Sequence, residues 1–123
     1  EDILGRLPLH YSCSNGAPPQ QIDLLIQACP GGARAFDKRG WLSLHVACSV
    51  GAHPFVIRRL IEVFPESVVL NTNKGSNAYK CCGMAEGSIN TPHNMVALAE
   101  MEKQIRSRDH GPAQKPSEER FVV

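Results

Sequence analysis

Two segments of the chain carry apolar residues at the spacing of an α-helix. The members of each set fall at positions i, i+3, i+4 and i+7, which form one face of a helix. They are Ile22, Leu25, Ile26 and Cys29 in the first segment and Ile57, Leu60, Ile61 and Phe64 in the second. The pattern predicts helices over residues 20–29 and 55–64, each ended by the proline that follows, Pro30 or Pro65.

The two predicted helices belong to a longer internal copy. His10 and His45 are 45 − 10 = 35 residues apart, and a Gly-x-Leu-x-Leu-His stretch ends at each of them. A period of about 20 to 50 residues predicts stacked units, none of which can bury its apolar face alone. In each unit the stretch predicts a short first helix that a Gly-Ala pair ends. The first two units span about residues 2–39 and 40–74.

A third unit, about residues 75–107, retains less of the pattern. Gly75 matches Gly40, but the Leu-x-Leu-His stretch is absent. Thr91 and Pro92 predict an N-cap followed by proline at the first helical position. An amphipathic helix over about residues 92–108 would then close the stack as a cap, because terminal units are atypical. Residues 108–123 have no apolar period, and we expect a disordered tail there.

Composition narrows the class of function. Thirteen basic and twelve acidic side chains give a net charge of +1, so no overall field attracts nucleic acid or a membrane surface. No apolar run approaches the roughly 18 residues that a membrane span needs. Five cysteines, two of them adjacent, do not suggest a disulfide framework. We therefore expect reduced thiols in an intracellular, cytoplasmic protein.

The repeated segments resemble the ankyrin repeat family. The family's unit reads Asp-x-x-Gly-x-Thr-Pro-Leu-His-x-Ala, and residues 37–47 read Asp-Lys-Arg-Gly-Trp-Leu-Ser-Leu-His-Val-Ala. Residues 2–10 match it as Asp-Ile-Leu-Gly-Arg-Leu-Pro-Leu-His. The resemblance implies an all-α solenoid of stacked helix-turn-helix units that acts as a non-catalytic protein-binding module. A tetratricopeptide-like array, the main alternative, lacks the Gly-x-x-x-Leu-His opening.

Two departures from the family pattern bear on the structure. Leu7 and Leu42 stand where the family has a threonine that helps to fix the turn. Extra length falls near Pro30 and Pro65. It predicts either a longer hairpin connection or an extra turn of helix after each second helix.

In ankyrin-like proteins the concave face and the hairpin tips bind the partner. Trp41 stands at a variable position of this face, and tryptophan and arginine often dominate interface energetics. The alternative is that Trp41 covers the core of the neighbouring unit. Carried over by position, the binding residues are Arg6, Ser14, Asn15, Lys38, Arg39, Trp41, Ser49 and Val50. The hairpin side is predicted to carry a local positive charge, which favours an acidic protein or peptide partner unless it is only solvated loop charge; the residues concerned are Arg6, Arg34, Lys38, Arg39 and Lys74.

The His10/Cys13 and His45/Cys48 pairs admit a chemical interpretation. The spacing occurs in zinc sites, and a Cys/His pair could serve as nucleophile and base. Stacked helices lie about 8–10 Å apart, which is too far for two units to share one zinc ion. Because the pair recurs in successive units, we predict that the histidines bond the turn and the cysteines fill helix contacts. No metal, cofactor or catalysis is expected.

A structural alternative remains for the whole chain. It could be a slice of a longer repeat array with a scaffolding role. In that case Leu9, Cys13 and Leu25 would leave apolar surface exposed at the N-terminal end, where two copies could dimerise. A complete domain would instead be a monomer.

Overall fold

The computed structural model describes residues 3–85 and 87–110, with side chains omitted at residues 30 and 108–110. These ranges contain helices and no strands, which confirms the all-α prediction. Across the same ranges, no helix combines the length and the apolar character that crossing a membrane requires. The α-helices are α1 (Pro8–Ser14), α2 (Pro19–Ala28), α3 (Ser43–Val50), α4 (Pro54–Val63), α5 (Ala78–Gly83) and α6 (Thr91–His110).

The two predicted apolar helices are present as α2 and α4. Each begins at a proline, Pro19 or Pro54, one residue before the predicted start. Proline fits there because its missing N–H has no partner in the first turn of a helix. Short 3-10 helices follow over Pro30–Arg34 and Pro65–Val69. The extra length after each second helix therefore forms an extra helical turn and not a longer hairpin.

The start of α6 corrects one prediction. The carbonyl of Asn90 accepts a hydrogen bond from the Asn94 N–H at 2.9 Å, so Asn90 caps the helix. Thr91 is the first helical residue and not the cap. The helix continues to His110, and the remainder of the predicted tail, residues 111–123, lies outside the described residues.

The helices pack in two layers. In the first layer α3 contacts both α1 and α5, and in the second α4 contacts both α2 and α6. The core runs between the layers and includes side chains of both 3-10 helices, Ala33 and Val68. Because α3 has a helix on each side, its residues from Ser43 to Cys48 are all buried. Gly51 ends α3 in the left-handed conformation that glycine favours, with φ 69°.

Hydrogen bonds between hairpin loops repeat with the period of the sequence. The Lys38 N–H donates to the Leu4 carbonyl at 2.8 Å, and the Asn73 N–H donates to the Arg39 carbonyl at 3.0 Å. Lys38 and Asn73 are 73 − 38 = 35 residues apart, as are Leu4 and Arg39. The loops before α1, α3 and α5 are thus joined edge to edge along the stack.

The N-terminal end differs from the expectation for an uncapped slice. Leu9 and Cys13 are buried, in contrast to the exposure that the slice alternative implies, and Leu25 is half-buried. Leu9 and Cys13 are one turn apart on α1 and belong to the central core cluster. The exposed apolar side chains near this end include Ile3, at 88% exposure, Tyr11, at 40%, and Leu24, at 66%.

Candidate functional site

Asp37 organises the turn that leads into α3. Its side chain is fully buried. One carboxylate oxygen, Oδ1, accepts the backbone N–H groups of Arg39 at 2.8 Å and Trp41 at 2.9 Å. The other, Oδ2, accepts the Arg6 Nε–H at 3.0 Å. The carboxylate therefore fixes the backbone of the loop and also joins it to the loop before α1.

The charge of Asp37 is matched to its surroundings. Burial opposes ionisation, but the hydrogen bonds from Trp41, Arg6 and Arg39 outweigh it and lower the pKa of the carboxyl. The negative charge is thus neutralised locally by Arg6 and by backbone dipoles. Because the Asp37 carboxylate is buried, it is not an exposed counterion for the lysine and arginine that follow it in the same loop, Lys38 and Arg39.

The next loop repeats the arrangement without the charge. Thr72 stands 72 − 37 = 35 residues after Asp37, and its Oγ1 accepts the Ser76 N–H at 3.2 Å. The amide of Asn73 donates to the Lys38 carbonyl at 3.1 Å and joins this loop to the preceding one. Sequence reasoning did not identify Thr72 or Asn73, although alignment of the copies at 35 residues would have placed both in the turn.

The two repeated histidines bond the backbone, as predicted. His10 Nδ1 accepts the Leu7 N–H at 3.0 Å, and His45 Nδ1 accepts the Leu42 N–H at 2.9 Å. Because Nδ1 is an acceptor, Nε2 carries the hydrogen in each neutral ring. It donates to the Trp41 carbonyl from His10 and to the Leu70 carbonyl from His45, at 3.0 and 3.1 Å. Burial lowers the pKa of His45, which favours this neutral form.

The repeated cysteines are buried in the core. Burial raises the pKa of Cys13 to about 12. A hydrogen bond with Cys82 and burial raise the pKa of Cys48 as well. Since the thiolate is the nucleophilic form, such thiols are poor nucleophiles at neutral pH. Within residues 3–85 and 87–110, no three His, Cys, Asp or Glu side chains are arranged to hold a metal ion.

The structure separates the eight predicted binding residues into two groups. Four lie in the loops around the first helix N-termini and four at the opposite helix ends. The second group lies about 10 Å from the first, because the seven residues of α1 rise about 1.5 Å each. The groups are Arg6, Lys38, Arg39 and Trp41, and Ser14, Asn15, Ser49 and Val50.

Trp41 is held partly in the fold. Its ring packs against the core and meets the His45 ring edge to face, with 6.2 Å between centroids and 69° between planes. Both of its backbone polar groups are bonded to Asp37. The indole therefore supports the neighbouring core while part of it reaches the surface.

The loops present a connected surface, which we call the hairpin surface. Lys38, Arg39 and Lys74 are exposed on it, and the Lys38 stem crosses the backbone of Gly5, so that a methyl there would meet its Cγ at 3.2 Å. The side chain of Arg6 lies beside them in its ion pair with Asp37. The surface is formed by Arg6, Lys38, Arg39, Trp41, Asn73 and Lys74.

Two grooves lie on other faces of the described structure. One, of about 380 Å³, runs between α4 and α6 over Phe55, Ile61 and Met101. Its rim carries both signs of charge. The other, of about 450 Å³, lies between α5 and α6 at the end of the stack. There burial and a hydrogen bond to Glu102 raise the pKa of Tyr79 to about 12.

Comparison with known proteins does not assign the chain to a family. No protein-family model matches the chain, and no curated protein matches it either.

Proposed function

We propose that the chain is a stack of three ankyrin-like units, closed by α6, that binds a partner protein or peptide through the hairpin surface. The hydrogen-bonded edge between loops, in which Lys38 bonds Leu4 and Asn73 bonds Arg39, carries this proposal. Binding costs less when the binding surface is already ordered. An edge of loops tied at a fixed spacing provides such a surface.

The distribution of repeated and variable residues supports the same function. Positions that repeat, such as His10 and His45, are buried and bond the backbone. Equivalent positions that differ between units include residues 4, 39 and 74, which are Leu, Arg and Lys. Of these, Arg39 and Lys74 are exposed. In such a domain, the exposed side chains on a common scaffold determine which partner is recognised.

A catalytic function has less support. The repeated histidines use both ring nitrogens on backbone groups, and the repeated thiols have raised pKa values. An activated nucleophile requires a lowered pKa or an oriented base. We propose a non-catalytic module for this reason.

Capture of partners by matched variants tests the proposed surface. Partner proteins are cross-linked to the intact chain and to an Arg39→Ala, Trp41→Ala variant, and the amounts captured by the two are compared. The control is Phe55→Ala, Arg58→Ala, which removes an exposed aromatic residue and an arginine from the second layer. Specific capture should fall with the first variant and persist with the control.

Thermal unfolding of each variant separates loss of binding from loss of fold, because Trp41 also packs against the core. If Trp41→Ala unfolds the protein, Arg39→Ala with Lys74→Ala replaces it. Unchanged capture by the hairpin variants, or equal loss with the control, would reject the hairpin surface.

A further inference from the structure

The described carboxylates are distributed unevenly between the two layers. On the hairpin side, Lys38, Arg39, Lys74 and Lys80 are exposed, while the one described carboxylate there, Asp37, is buried. Every other carboxylate whose side chain is described lies on the second layer: Asp23, Glu62, Glu66, Glu100 and Glu102. The net charge of +1 therefore conceals a basic face.

Several cations of the second layer are paired with carboxylates of that layer. Arg59 donates to Asp23 at 2.6 Å and to Glu62 at 2.7 Å, and Arg106 bonds Glu102 at 2.6 Å. On the hairpin side Asp37 is occupied by Arg6 and two backbone N–H groups. An incoming carboxylate would therefore find lysine and arginine side chains there with no exposed described carboxylate to compete for them.

Exposed apolar side chains lie close to these cations in the sequence. Phe36, adjacent to Asp37, is 50% exposed, and Ile3, next to the loop contact between Leu4 and Lys38, is 88% exposed. Trp41 reaches the same surface in part. A partner that fits must supply both negative charge and apolar contacts.

These observations favour a peptide over a nucleic acid. Nucleic-acid sites combine backbone-tracking cations with high net positive charge and strong dependence on salt. The four exposed cations are interspersed with aliphatic and aromatic groups, and the whole chain is nearly neutral. An acidic segment with interspersed apolar residues matches both components.

We propose that the hairpin surface binds an extended acidic peptide segment in which Asp or Glu alternates with apolar side chains. The proposal rests on the proposed function and names the partner's chemistry. The carboxylates meet Lys38, Arg39 and Lys74, and the apolar side chains contact Phe36 and Trp41. Exposed charges contribute more to selection and association rate than to affinity.

Selection from an unbiased library of random peptides displayed on phage, with the intact chain as bait, tests the proposal. Enriched peptides should contain an excess of Asp and Glu and should include apolar residues. Their binding, followed by fluorescence anisotropy, should weaken about tenfold or more with Lys38→Glu, Arg39→Glu and also at high salt. A matched control, Arg58→Glu with Lys103→Glu, makes the same change of net charge on the second layer and should bind as the parent does.

The remaining outcomes separate the two proposals. Enriched peptides without excess acid that still lose binding with Trp41→Ala would overturn the acidic partner and leave the proposed function standing. Binding that the hairpin variants do not weaken would overturn both. A single-stranded oligonucleotide that binds more tightly than the selected peptides, and loses binding with Lys38→Glu, Arg39→Glu, would also overturn both.

Discussion

At the scale of single residues, Asp37 has the largest number of roles. It closes its own turn through Arg39 and Trp41 and reaches the loop before α1 through Arg6. Asparagine has only one side-chain oxygen: if that oxygen accepts the backbone N–H groups, its NH2 group faces the Arg6 guanidinium, donor against donor. A hydrogen bond to a charged group contributes about 1.5–3 kcal/mol.

We therefore expect Asp37→Asn to lower the free energy of unfolding by about 2 kcal/mol. Urea denaturation followed by circular dichroism measures the change. Glu66→Gln, which alters an exposed carboxylate, should stay within about 0.5 kcal/mol of the parent. Equal effects of the two substitutions would show that the buried carboxylate has no special role.

His45 gives the fold a dependence on pH. Burial lowers its pKa below the ordinary value of 6.5, and its Nδ1 must remain unprotonated to accept the Leu42 N–H. As the pH falls, the unfolded state takes up the proton first, so stability is lost below about pH 6.5.

The expected result is a lower free energy of unfolding at about pH 5.5 than at about pH 7.5. Urea titrations at both values measure it. In a His45→Gln variant the difference should shrink, because one titrating group is gone. A variant with the full pH dependence of the parent would assign the effect to other groups.

At the scale of helices, the apolar period located α2 and α4 to within a residue at each end. The period works there because each helix has one buried and one exposed face. The first residues of two helices, α5 and α6, were harder to predict. α5 has Lys80 where the other units have histidine, and α6 begins one residue before the predicted position because Asn90 caps it.

The site was less accessible to sequence reasoning than the helices. Arg6, Lys38, Arg39 and Trp41 were predicted because the resemblance to ankyrin repeats places their positions on the concave face. Their partners were not, since the bond between Arg6 and Asp37 joins residues 31 apart in sequence, in the loops before α1 and α3. Such contacts depend on how the units stack, which no local pattern encodes.

Asn94 attaches α6 to the preceding unit. Its side chain is fully buried, and its amide donates to the Ala52 carbonyl at 3.0 Å. Asn90 donates nearby to the Gly51 carbonyl at 2.9 Å, which Ser88 also approaches at 3.4 Å. Loss of Asn94 leaves the carbonyl of the half-buried Ala52 without this donor, whereas the Gly51 carbonyl retains a second one.

Asn94→Ala should therefore lower the free energy of unfolding by about 2 kcal/mol and Asn90→Ala by about 1 kcal/mol or less. Chemical denaturation of both variants under the same conditions tests the order. A larger loss with Asn90→Ala would show that the bond from Asn90 to the Gly51 carbonyl, and not the bond from Asn94 to the Ala52 carbonyl, controls docking of the helix.

At the scale of the whole molecule, the main contacts between the described helices lie within a unit or between neighbouring units. The middle unit has a neighbour on both sides, and this is why Val46 is 2% exposed whereas Tyr11, 35 residues earlier, is 40% exposed. In such stacks stability is approximately a sum over units and the interfaces between them. Opening should begin at the ends.

Amide hydrogen exchange should accordingly be slowest in α3 and α4 and faster in α1, α2 and α6. Mass spectrometry of peptic fragments after timed labelling in deuterated buffer resolves the units. Uniform protection along the chain would indicate that the stack opens as a single cooperative unit.

The constant offset between the loop contacts has a consequence for changes in chain length. The bonds from Lys38 to Leu4 and from Asn73 to Arg39 join residues separated by the same number of positions. Duplication of a whole 35-residue unit within the chain would give every new donor an acceptor in its proper place. An insertion one residue shorter would shift each downstream donor away from its acceptor. The fold can therefore be lengthened by whole units, and a gene encoding it could lengthen by duplication without any change to the hydrogen bonds between the loops.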